Sequence, residues 1–409
     1  MKLIYISKRL NSGDGSSVHG REFIKAASSL GHQVKSYPKL EEIRYDANYE
    51  KPQKTSVFEK IRKINFKNLN ALLKKKSNYY RDFCSVLSGN SKSKQSARDL
   101  ESIIYEFSPD VIVYRAVMYD FTPNIIRKKF RRKMIAEVNS IKSLEQTLNR
   151  KNPSTWIARR CEKLTYETSD AVVVVSNAIK DHLVEIGVRQ PITVASNGVD
   201  LDTFSRNEEA KHTLKIDYGL QEKVVMGYVG SYKKWHNLDD SLAVLEQLVS
   251  ENTNVHFVLI GSGAEEKRFN EQVIARGLES HVTKIPSLPH NEIPYYLNII
   301  DIAVMTYPQM ENFYFSPLKM YEYLAAGIPV VASRLGQIEE VMENAQIGKL
   351  VSPGDIANFS AAIKKLVNDE TYRETIGKNA REWAENNCSW QVNAEKVLSA
   401  AETVDQQEE

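Results

Sequence analysis

The chain is poor in cysteine and contains no long apolar run. Its 409 residues include three cysteines, widely separated and without a Cys-x-x-Cys pair: Cys84, Cys161 and Cys388. This spacing argues against a disulfide framework or a zinc site and is typical of buried thiols in a reducing compartment. No apolar stretch approaches the roughly 18–20 residues needed to cross a bilayer. Because the sequence turns polar directly after Ile6, we expect a first strand there rather than a signal peptide, and a cytoplasmic protein.

The net charge is small, at +3, but the charges are unevenly distributed. Of the 55 Lys and Arg and the 52 Asp and Glu, residues 1–205 contain 36 and 22, a balance of +14. The remaining residues therefore contain 19 and 30, a balance of −11. The chain is also 42% apolar, which excludes a disordered protein. Length and charge together indicate two domains that face different partners.

Apolar strands alternate with helical stretches in both halves of the chain. The strands are rich in Val and Ile, and we predict them at Leu3–Ile6, Val111–Tyr114, Ala171–Val175, Val224–Val229, Val255–Ile260, Ile302–Met305 and Val330–Ser333. Continuous apolar strands that alternate with helices are typical of parallel sheets covered on both faces. We therefore expect an α/β fold of two doubly wound domains facing a cleft.

The polar stretch at residues 203–222 has little apolar periodicity and is the predicted domain boundary. The first domain is then 1–205 and the second 206–387. A last helix at about 388–404 is expected to pack back onto the first domain.

The most informative pattern lies just before the last of these strands. We predict Ser316 as a helix N-cap and Pro317 as the first helical residue, where a missing N–H costs nothing. Lys319 then lies in the first turn, where the helix dipole disfavours a cation unless an anion such as a diphosphate binds there. Glu322, one turn on, could accept hydrogen bonds from the vicinal hydroxyls of a ribose. An ordinary surface Lys/Glu pair explains the same residue types equally well.

This segment resembles the signature of the family-four retaining glycosyltransferases of the GT-B fold, which ends in Glu-x-x-Ala-x-Gly-x-Pro-Val-Val-Ala. The matching positions are Glu322, Ala325, Gly327, Pro329, Val330, Val331 and Ala332. Further fragments resemble the family in the same order along the chain, at 171–176, 196–200, 228–231, 259–263 and 389–390. The resemblance implies two Rossmann-like domains, a nucleotide-sugar donor on the second domain, UDP- or GDP-linked, and transfer without a cofactor or a catalytic metal.

The resemblance also implies roles for individual residues. Donor binding is expected from Glu322, Ser316, Pro317, Leu318, Gly230, Ser231, Gly261, Gly263, Ser287, Gly13 and Gly15. Lys319 and the pair Lys233 and Lys234 are expected to stabilise the departing diphosphate. His236 stands where the family usually has a lysine and is likewise expected to contact the phosphates. His19, in the loop after the first strand, could contact acceptor or donor, or cap the helix that follows.

Two positions depart from the family pattern. The first Glu of the family motif is replaced by Tyr314, as in a subset with a Ser-Pro-x-Lys version, and Glu311 is a nearby candidate to substitute for it. The catalytic-side His of the first domain aligns with Asn139. These departures leave open a degenerate nucleotide-sugar-binding protein, or another GT-B enzyme such as a nucleotide-sugar epimerase.

Two stretches of the first half interleave basic and apolar residues, at 58–83 and 127–133. Both patterns suit a helix on anionic lipid, where each cation contributes about 1 kcal/mol. They predict a peripheral protein at the inner face of a membrane, with a lipid-linked or saccharide acceptor. No nucleic-acid-binding module accompanies the charges, so no nucleic-acid partner is expected. The alternative is a solvated face, because runs of charge are commonly just solvated.

Overall fold

The computed structural model describes residues 1–12, 15–41, 78–150, 155–343 and 346–408, with the side chains of 147–150 and 403–408 excepted. The chain divides into two compact units. One comprises Met1–Ala195 together with Ala394–Glu409, and the other comprises Ser196–Asn393. The units therefore meet in the chain between Ala195 and Ser196, upstream of the predicted boundary, and the chain returns to the first unit within its last helix.

The first unit is built on a six-stranded parallel sheet. Its elements in chain order are β1 (Lys2–Ile6), α1 (Gly15–Ser29), β2 (Gln33–Tyr37), α2 (Asn78–Phe107), β3 (Val111–Arg115), α3 (Thr122–Phe130), β4 (Lys133–Val138), α4 (Lys142–Arg150), α5 (Trp156–Glu167), β5 (Ala171–Val174), α6 (Asn177–Glu185) and β6 (Ile192–Val194). The strand order is β2-β1-β3-β4-β5-β6, and all neighbours run parallel. The direction of winding therefore reverses between β1 and β3.

The second unit repeats this architecture. Its elements are α7 (Glu208–Asp217), β7 (Val224–Val229), α8 (Leu238–Ser250), β8 (Val255–Ile260), α9 (Glu266–Ala275), β9 (Val282–Ile285), α10 (Ile293–Leu297), β10 (Ile302–Met305), α11 (Leu318–Ala325), β11 (Val330–Ser333), α12 (Gly336–Met342), β12 (Gly348–Val351), α13 (Ile356–Asn368), α14 (Glu370–Asn387) and the start of α15 (Trp390–Glu408). The parallel strand order is β12-β11-β10-β7-β8-β9. Here the winding reverses between β7 and β10.

The predicted α/β fold of two parallel-sheet domains is confirmed. The central strands β7, β8, β10 and β11 have the predicted bounds, because they are buried along nearly their whole length and so read as continuous apolar runs. The central strand β4 was not among the predicted strands, although it is buried along most of its length. The edge strands β2, β6, β9 and β12 were not predicted either. Each is only partly buried, so polar residues interrupt the apolar pattern that marks a parallel strand.

The polar stretch 203–222, predicted from the sequence as the domain boundary, belongs to the second unit. It contains α7, whose N-cap Asn207 accepts a hydrogen bond from the backbone of Ala210. Buried Asp301 holds this helix against the sheet, since its carboxylate lies 2.9 Å from Lys211 Nζ and 2.7 Å from Lys215 Nζ. Burial alone would raise the pKa of Asp301, but the two lysines outweigh it and the pKa lies below its ordinary value.

Replacement of Asp301 tests this anchor. We expect Asp301→Asn to lower the free energy of unfolding by roughly 3 kcal/mol at neutral pH, because two lysines lose a buried counter-charge. A lowered carboxyl pKa stabilises the fold above the unfolded-state value, and this stabilisation is lost as the pH falls through the folded-state value. The difference between variant and wild type in urea unfolding should therefore shrink at acid pH. Asp217→Asn, at the exposed end of α7, is the matched control. Equal stability of Asp301→Asn and wild type at pH 7 would show that the anchor is not needed.

Candidate functional site

The carboxyl ends of β7 and β10 lie side by side in the second unit, at the point where the winding reverses. Ligands of doubly wound sheets bind at such an edge. The loop after β7 begins with Gly230, and α11 follows β10. Tyr323 of α11 ties the two together, because its hydroxyl accepts a 2.7 Å hydrogen bond from the backbone of Val229. This contact brings the first turn of α11 beside the loop.

Gly230 leaves room for a lysine of that helix. Its φ of +139° is rare for any residue with a side chain, and a Cβ at this position would lie 2.8 Å from Lys319 Nζ. Gly261 and Gly263 also permit close packing. A Cβ on Gly261 would lie 2.2 Å from the carbonyl oxygen of Gly230, and one on Gly263 would lie 2.5 Å from that of Tyr232. These two glycines therefore allow the loops after β7 and β8 to pack together.

The amine of Lys319 is the most unusual group of this region. Its Nζ is buried, and no residue in the described part of the chain forms a hydrogen bond with it. It lies 4.0 Å from the centre of the Tyr228 ring. Burial lowers the pKa of Lys319 to about 7, with Lys233 adding to the effect and Glu322 opposing it. A buried amine at a helix N-terminus is costly by itself, and an anion bound there would offset that cost.

Glu322 and His290 form a pair next to this lysine. Glu322 lies one turn after Lys319 on α11, and its Oε1 accepts a 2.8 Å hydrogen bond from His290 Nε2. His290 belongs to the loop after β9, which also carries the exposed Ser287. The sequence analysis missed His290, because a single histidine in a loop has no pattern that distinguishes it from any other.

His236 is uncharged and binds within its own loop. Its Nδ1 lies 2.7 Å from the carbonyl oxygen of Ser231 and 2.6 Å from the Tyr228 hydroxyl. Burial, together with the charge of Lys319, lowers the pKa of His236 to about 2. The histidine at the family's lysine position therefore holds the loop in place and adds no positive charge, while the neighbouring lysines, Lys233 and Lys234, remain exposed.

The start of α11 differs from the prediction by one residue. The helix begins at Leu318, and Pro317 is the N-cap, without a side-chain capping bond. Ser316 does not cap the helix, since its hydroxyl accepts a 3.1 Å hydrogen bond from the backbone N–H of Asn197. The side chain of Asn197 also donates to the Ser316 carbonyl at 2.6 Å. The serine thus ties the start of the second unit to the segment before α11.

The first unit has its own polar cluster around a buried carboxylate. Glu137, near the end of β4, accepts a 2.9 Å hydrogen bond from the Tyr5 hydroxyl, and its Oε1 lies 3.1 Å from His19 Nε2. Arg115 Nη1 is 3.7 Å away. Burial alone would raise the pKa of Glu137, but His19 and Arg115 outweigh it and lower the pKa to about 2. His19 lies within α1 and pairs with Glu137 of β4. It therefore does not cap the helix, and that one of its three predicted roles is wrong.

Three further residues of the first unit were predicted to bind ligands: Asn139, Gly15 and Gly13. Asn139 follows β4, and its Oδ1 is buried without a hydrogen-bond partner among the described residues. It is thus available to a ligand at the carboxyl edge of the first sheet. Gly15 is the exposed first residue of α1, whereas Gly13 lies outside the described residues. Within the described ranges, no group of three or more His, Cys, Asp or Glu side chains is arranged to hold a metal ion.

The basic stretch 127–133 is not one continuous helix. The helix α3 ends at Phe130, Arg131 is left-handed with φ 50°, and β4 begins at Lys133. Arg127 pairs with Asp170, and Lys129 Nζ lies 2.7 Å from Glu101. In the stretch 58–83, residues 58–77 lie outside the described part of the chain. Every helix that the structure describes is too short or too polar to span a membrane.

Two known families match the chain over separate stretches. The family described as Glycosyltransferase Family 4 matches residues 13–203, and Glycosyl transferases group 1 matches residues 211–383. The chain belongs to the family-four glycosyltransferases. The predicted family is thus confirmed, while the Ser-Pro-x-Lys variant of its motif stays a prediction.

Individual relatives within the family are distant. Spore coat protein SA of Bacillus subtilis is 29% identical over 222 residues, which are 50% of this chain and 57% of that protein. The capsular polysaccharide biosynthesis glycosyltransferase CapM of Staphylococcus aureus is 26% identical over 252 residues, 59% of this chain and 64% of that protein. The chain thus matches less than two thirds of the length of either relative.

Solved structures of similar fold cover the whole chain. Sucrose-phosphate synthase from Thermosynechococcus elongatus has a TM-score of 0.71 at 18% identity and covers 100% of this chain and 99% of its own. Anabaena HepE in complex with UDP has a TM-score of 0.69 at 17% identity, with the same coverage. At such identities the likeness concerns the fold, which is of the GT-B type.

The departure from the family motif at Tyr314 is a packing feature. The tyrosine is 1% exposed, and its ring lies 4.5 Å from that of Phe315. A buried aromatic side chain here cannot replace a carboxylate. Glu311 is exposed, and its suggested substitution for the missing Glu stays a prediction.

Replacement of Lys319 by an apolar side chain tests whether this amine is a cost to the fold. We expect Lys319→Met to raise the free energy of unfolding on the order of 1 kcal/mol at pH 6. The amine is disfavoured as a cation in the fold, where its pKa is about 7 instead of the ordinary 10.5. The penalty is therefore complete below pH 7, and the advantage of the variant should shrink as the pH rises above that value.

The matched control for Lys319→Met is Lys234→Met, because Lys234 is exposed. Urea unfolding of both variants at pH 6 and pH 9 gives the comparison. A loss of stability in Lys319→Met at pH 6 would mean that the amine is structural and that an anion site lies elsewhere.

Proposed function

We propose that this protein is a retaining glycosyltransferase that transfers a sugar from a UDP- or GDP-linked donor during polysaccharide, glycolipid or glycoconjugate synthesis. The observation that carries the proposal is the buried amine of Lys319 at the start of α11, which has no hydrogen-bond partner in the described part of the chain. A donor diphosphate at this helix end would be met by Lys319 and by backbone N–H groups at the start of α11. The donor ribose would then lie one turn further on, at Glu322.

The chemistry follows from these charges. As the glycosidic bond to the donor breaks, negative charge gathers on the leaving diphosphate, and catalysis requires that this charge be stabilised. The pKa of Lys319 rises when the diphosphate binds, so the amine becomes an ammonium ion at the point where charge develops. Lys233, Lys234 and Ser231 would flank the phosphates from the loop after β7. We propose that these cations serve in place of a metal ion, and that no cofactor is required.

The named relatives support a nucleotide-sugar donor. HepE has been solved with UDP, with UDP and glucose, and with UDP-glucose, and CapM takes its name from capsular polysaccharide biosynthesis. Two other functions fit the same site: a degenerate protein that binds a nucleotide sugar without turnover, and a nucleotide-sugar epimerase. Release of nucleoside diphosphate that depends on added acceptor distinguishes a transferase from both.

Glu322→Gln tests the ribose site. The amide cannot accept from two hydroxyls as an ionised carboxylate does, so we expect UDP or GDP affinity to fall by roughly 100-fold in calorimetric titration. The fold should be unaffected. Glu271→Gln, on the exposed face of α9, is the matched control and should bind like wild type. If Glu322→Gln binds the nucleotide as tightly as wild type, the ribose does not bind to this carboxylate.

We further propose that the first unit contacts an anionic membrane or a lipid-linked acceptor from the cytoplasmic side. The +14 balance of residues 1–205 supports this, as does one face of α2. Tyr79, Phe83 and Leu87 recur every four residues there and are 54%, 53% and 56% exposed. Exposed apolar side chains on a basic surface are typical of proteins that bind at the interface of anionic bilayers.

Vesicle binding tests this contact. The Debye length falls from about 10 Å at 0.1 M salt to about 3 Å at 1 M, so anionic vesicles should bind the protein at low salt and release it at high salt. Neutral vesicles should bind it poorly at either. Two triple variants should weaken binding to anionic vesicles without unfolding the protein. One replaces Lys74, Lys75 and Lys76 with Gln, and the other replaces Arg131, Arg132 and Lys133 with Gln. Equal binding to both vesicle types, or none, would favour a solvated face and a soluble acceptor.

A further inference from the structure

His290 stands in a short, backbone-bonded turn before α10. The N–H of Glu292 donates to the carbonyl of Pro289 at 2.9 Å, and the N–H of Ile293 donates to that of His290 at 3.3 Å. The imidazole also packs against the Phe204 ring, with 5.5 Å between ring centres. These contacts hold the ring on one side while about a third of the side chain, 32%, stays exposed. The surrounding contacts therefore fix the position of the His290 ring, while part of its side chain stays accessible to a ligand.

The hydrogen bond between His290 and Glu322 has a defined direction. An ionised carboxylate has acceptors only, so His290 Nε2 must carry the proton and donate it, whether the ring is neutral or charged. Among the described residues, His290 is the hydrogen-bond partner of the Glu322 side chain. The carboxylate is 10% exposed, and this bond occupies one of its roughly four acceptor positions. With respect to the residues that the structure describes, Oε2 and the second lone pair of Oε1 stay available.

These remaining acceptors match a vicinal diol, which offers two O–H donors side by side. A free glutamate side chain would lose rotamer freedom when it engages such a diol, and this loss would reduce affinity. With Oε1 already fixed by His290, much of that loss has occurred before the ligand arrives. The benefit depends on both hydroxyls, because a ligand with one hydroxyl leaves a fixed, nearly buried acceptor without a donor.

We propose that His290 is a positioning residue that fixes the Glu322 carboxylate for two ribose hydroxyls, and so makes the second unit selective for ribonucleotides over 2′-deoxyribonucleotides. The inference rests on the proposed function, since it requires a nucleotide at Glu322. It adds a residue and a selectivity that a carboxylate alone does not provide. A merely structural histidine would change the affinity for both nucleotide types alike.

The experiment compares dissociation constants for UDP and 2′-deoxy-UDP, and for GDP and 2′-deoxy-GDP, by calorimetric titration of the full chain. For the base that binds, wild type should prefer the ribonucleotide by at least about 10-fold, the value of one good charge-assisted hydrogen bond. His290→Ala should weaken ribonucleotide binding by about 10-fold and leave the deoxyribonucleotide almost unchanged, so that the preference disappears. His290→Gln keeps an N–H donor and should restore part of it. His212→Ala, an exposed histidine of α7, should behave as wild type.

The remaining outcomes separate the two proposals. If wild type prefers the ribonucleotide and His290→Ala keeps the preference, the positioning role is wrong while the nucleotide site stands. Tighter ribonucleotide binding by His290→Ala would also overturn it, since His290 would then compete with the ribose for Glu322. If wild type binds neither UDP nor GDP, the proposed function fails and this inference fails with it.

Discussion

The second unit contains a buried amine, that of Lys319, which has no hydrogen-bond partner among the described residues. Lys319 Nζ lies over the Tyr228 ring, and Gly230 has no side chain that would displace it. Tyr228 in turn meets the neutral His236, which fixes the loop after β7. A protein keeps such a group only if the cost of burial is recovered, since an apolar side chain would fill the same space more cheaply. Under the proposed function, an anion bound beside Lys319 would recover this cost.

In the first unit, by contrast, the buried carboxylate of Glu137 has several polar partners. The Glu137 carboxylate is surrounded by the Tyr5 hydroxyl, His19 and Arg115, and the lowered pKa of Glu137 reflects that compensation. The cluster holds α1 and the ends of β3 and β4 in a fixed arrangement at the carboxyl edge of the sheet. Among the described residues, two side-chain oxygens that follow strands at that edge, Ser7 Oγ and Asn139 Oδ1, are buried without a hydrogen-bond partner.

The features that could be predicted from the sequence are those that burial and periodicity determine, above all the central strands. Central strands such as β8 are buried at every residue, and a fully buried parallel strand has a recognisable composition. Pairings between distant residues leave no such mark. Nothing in the sequence connects His290 with Glu322 or His19 with Glu137, because each pair is formed by the order of strands in a sheet and not by spacing along the chain. For the same reason Ser316 was assigned to a cap, although Asn197 uses its hydroxyl.

The departures from the family pattern at Tyr314 and Asn139 are chemically similar. Where the family has a carboxylate, this chain has a buried aromatic ring, and where the family has a histidine, it has an amide. Asn139 of the first unit and Tyr314 of the second each put a side chain that is neutral at pH 7 where the family has an acidic or basic one. In the second unit, Lys319 has a pKa of about 7, so its charge can change when an anion binds. A leaving diphosphate requires positive charge close to its oxygens, and it requires no acid or base at the sugar itself if the bond breaks with charge moving onto the phosphates. Under the proposed function, the buried amine of the second unit would therefore supply the positive charge that departure of the leaving group requires.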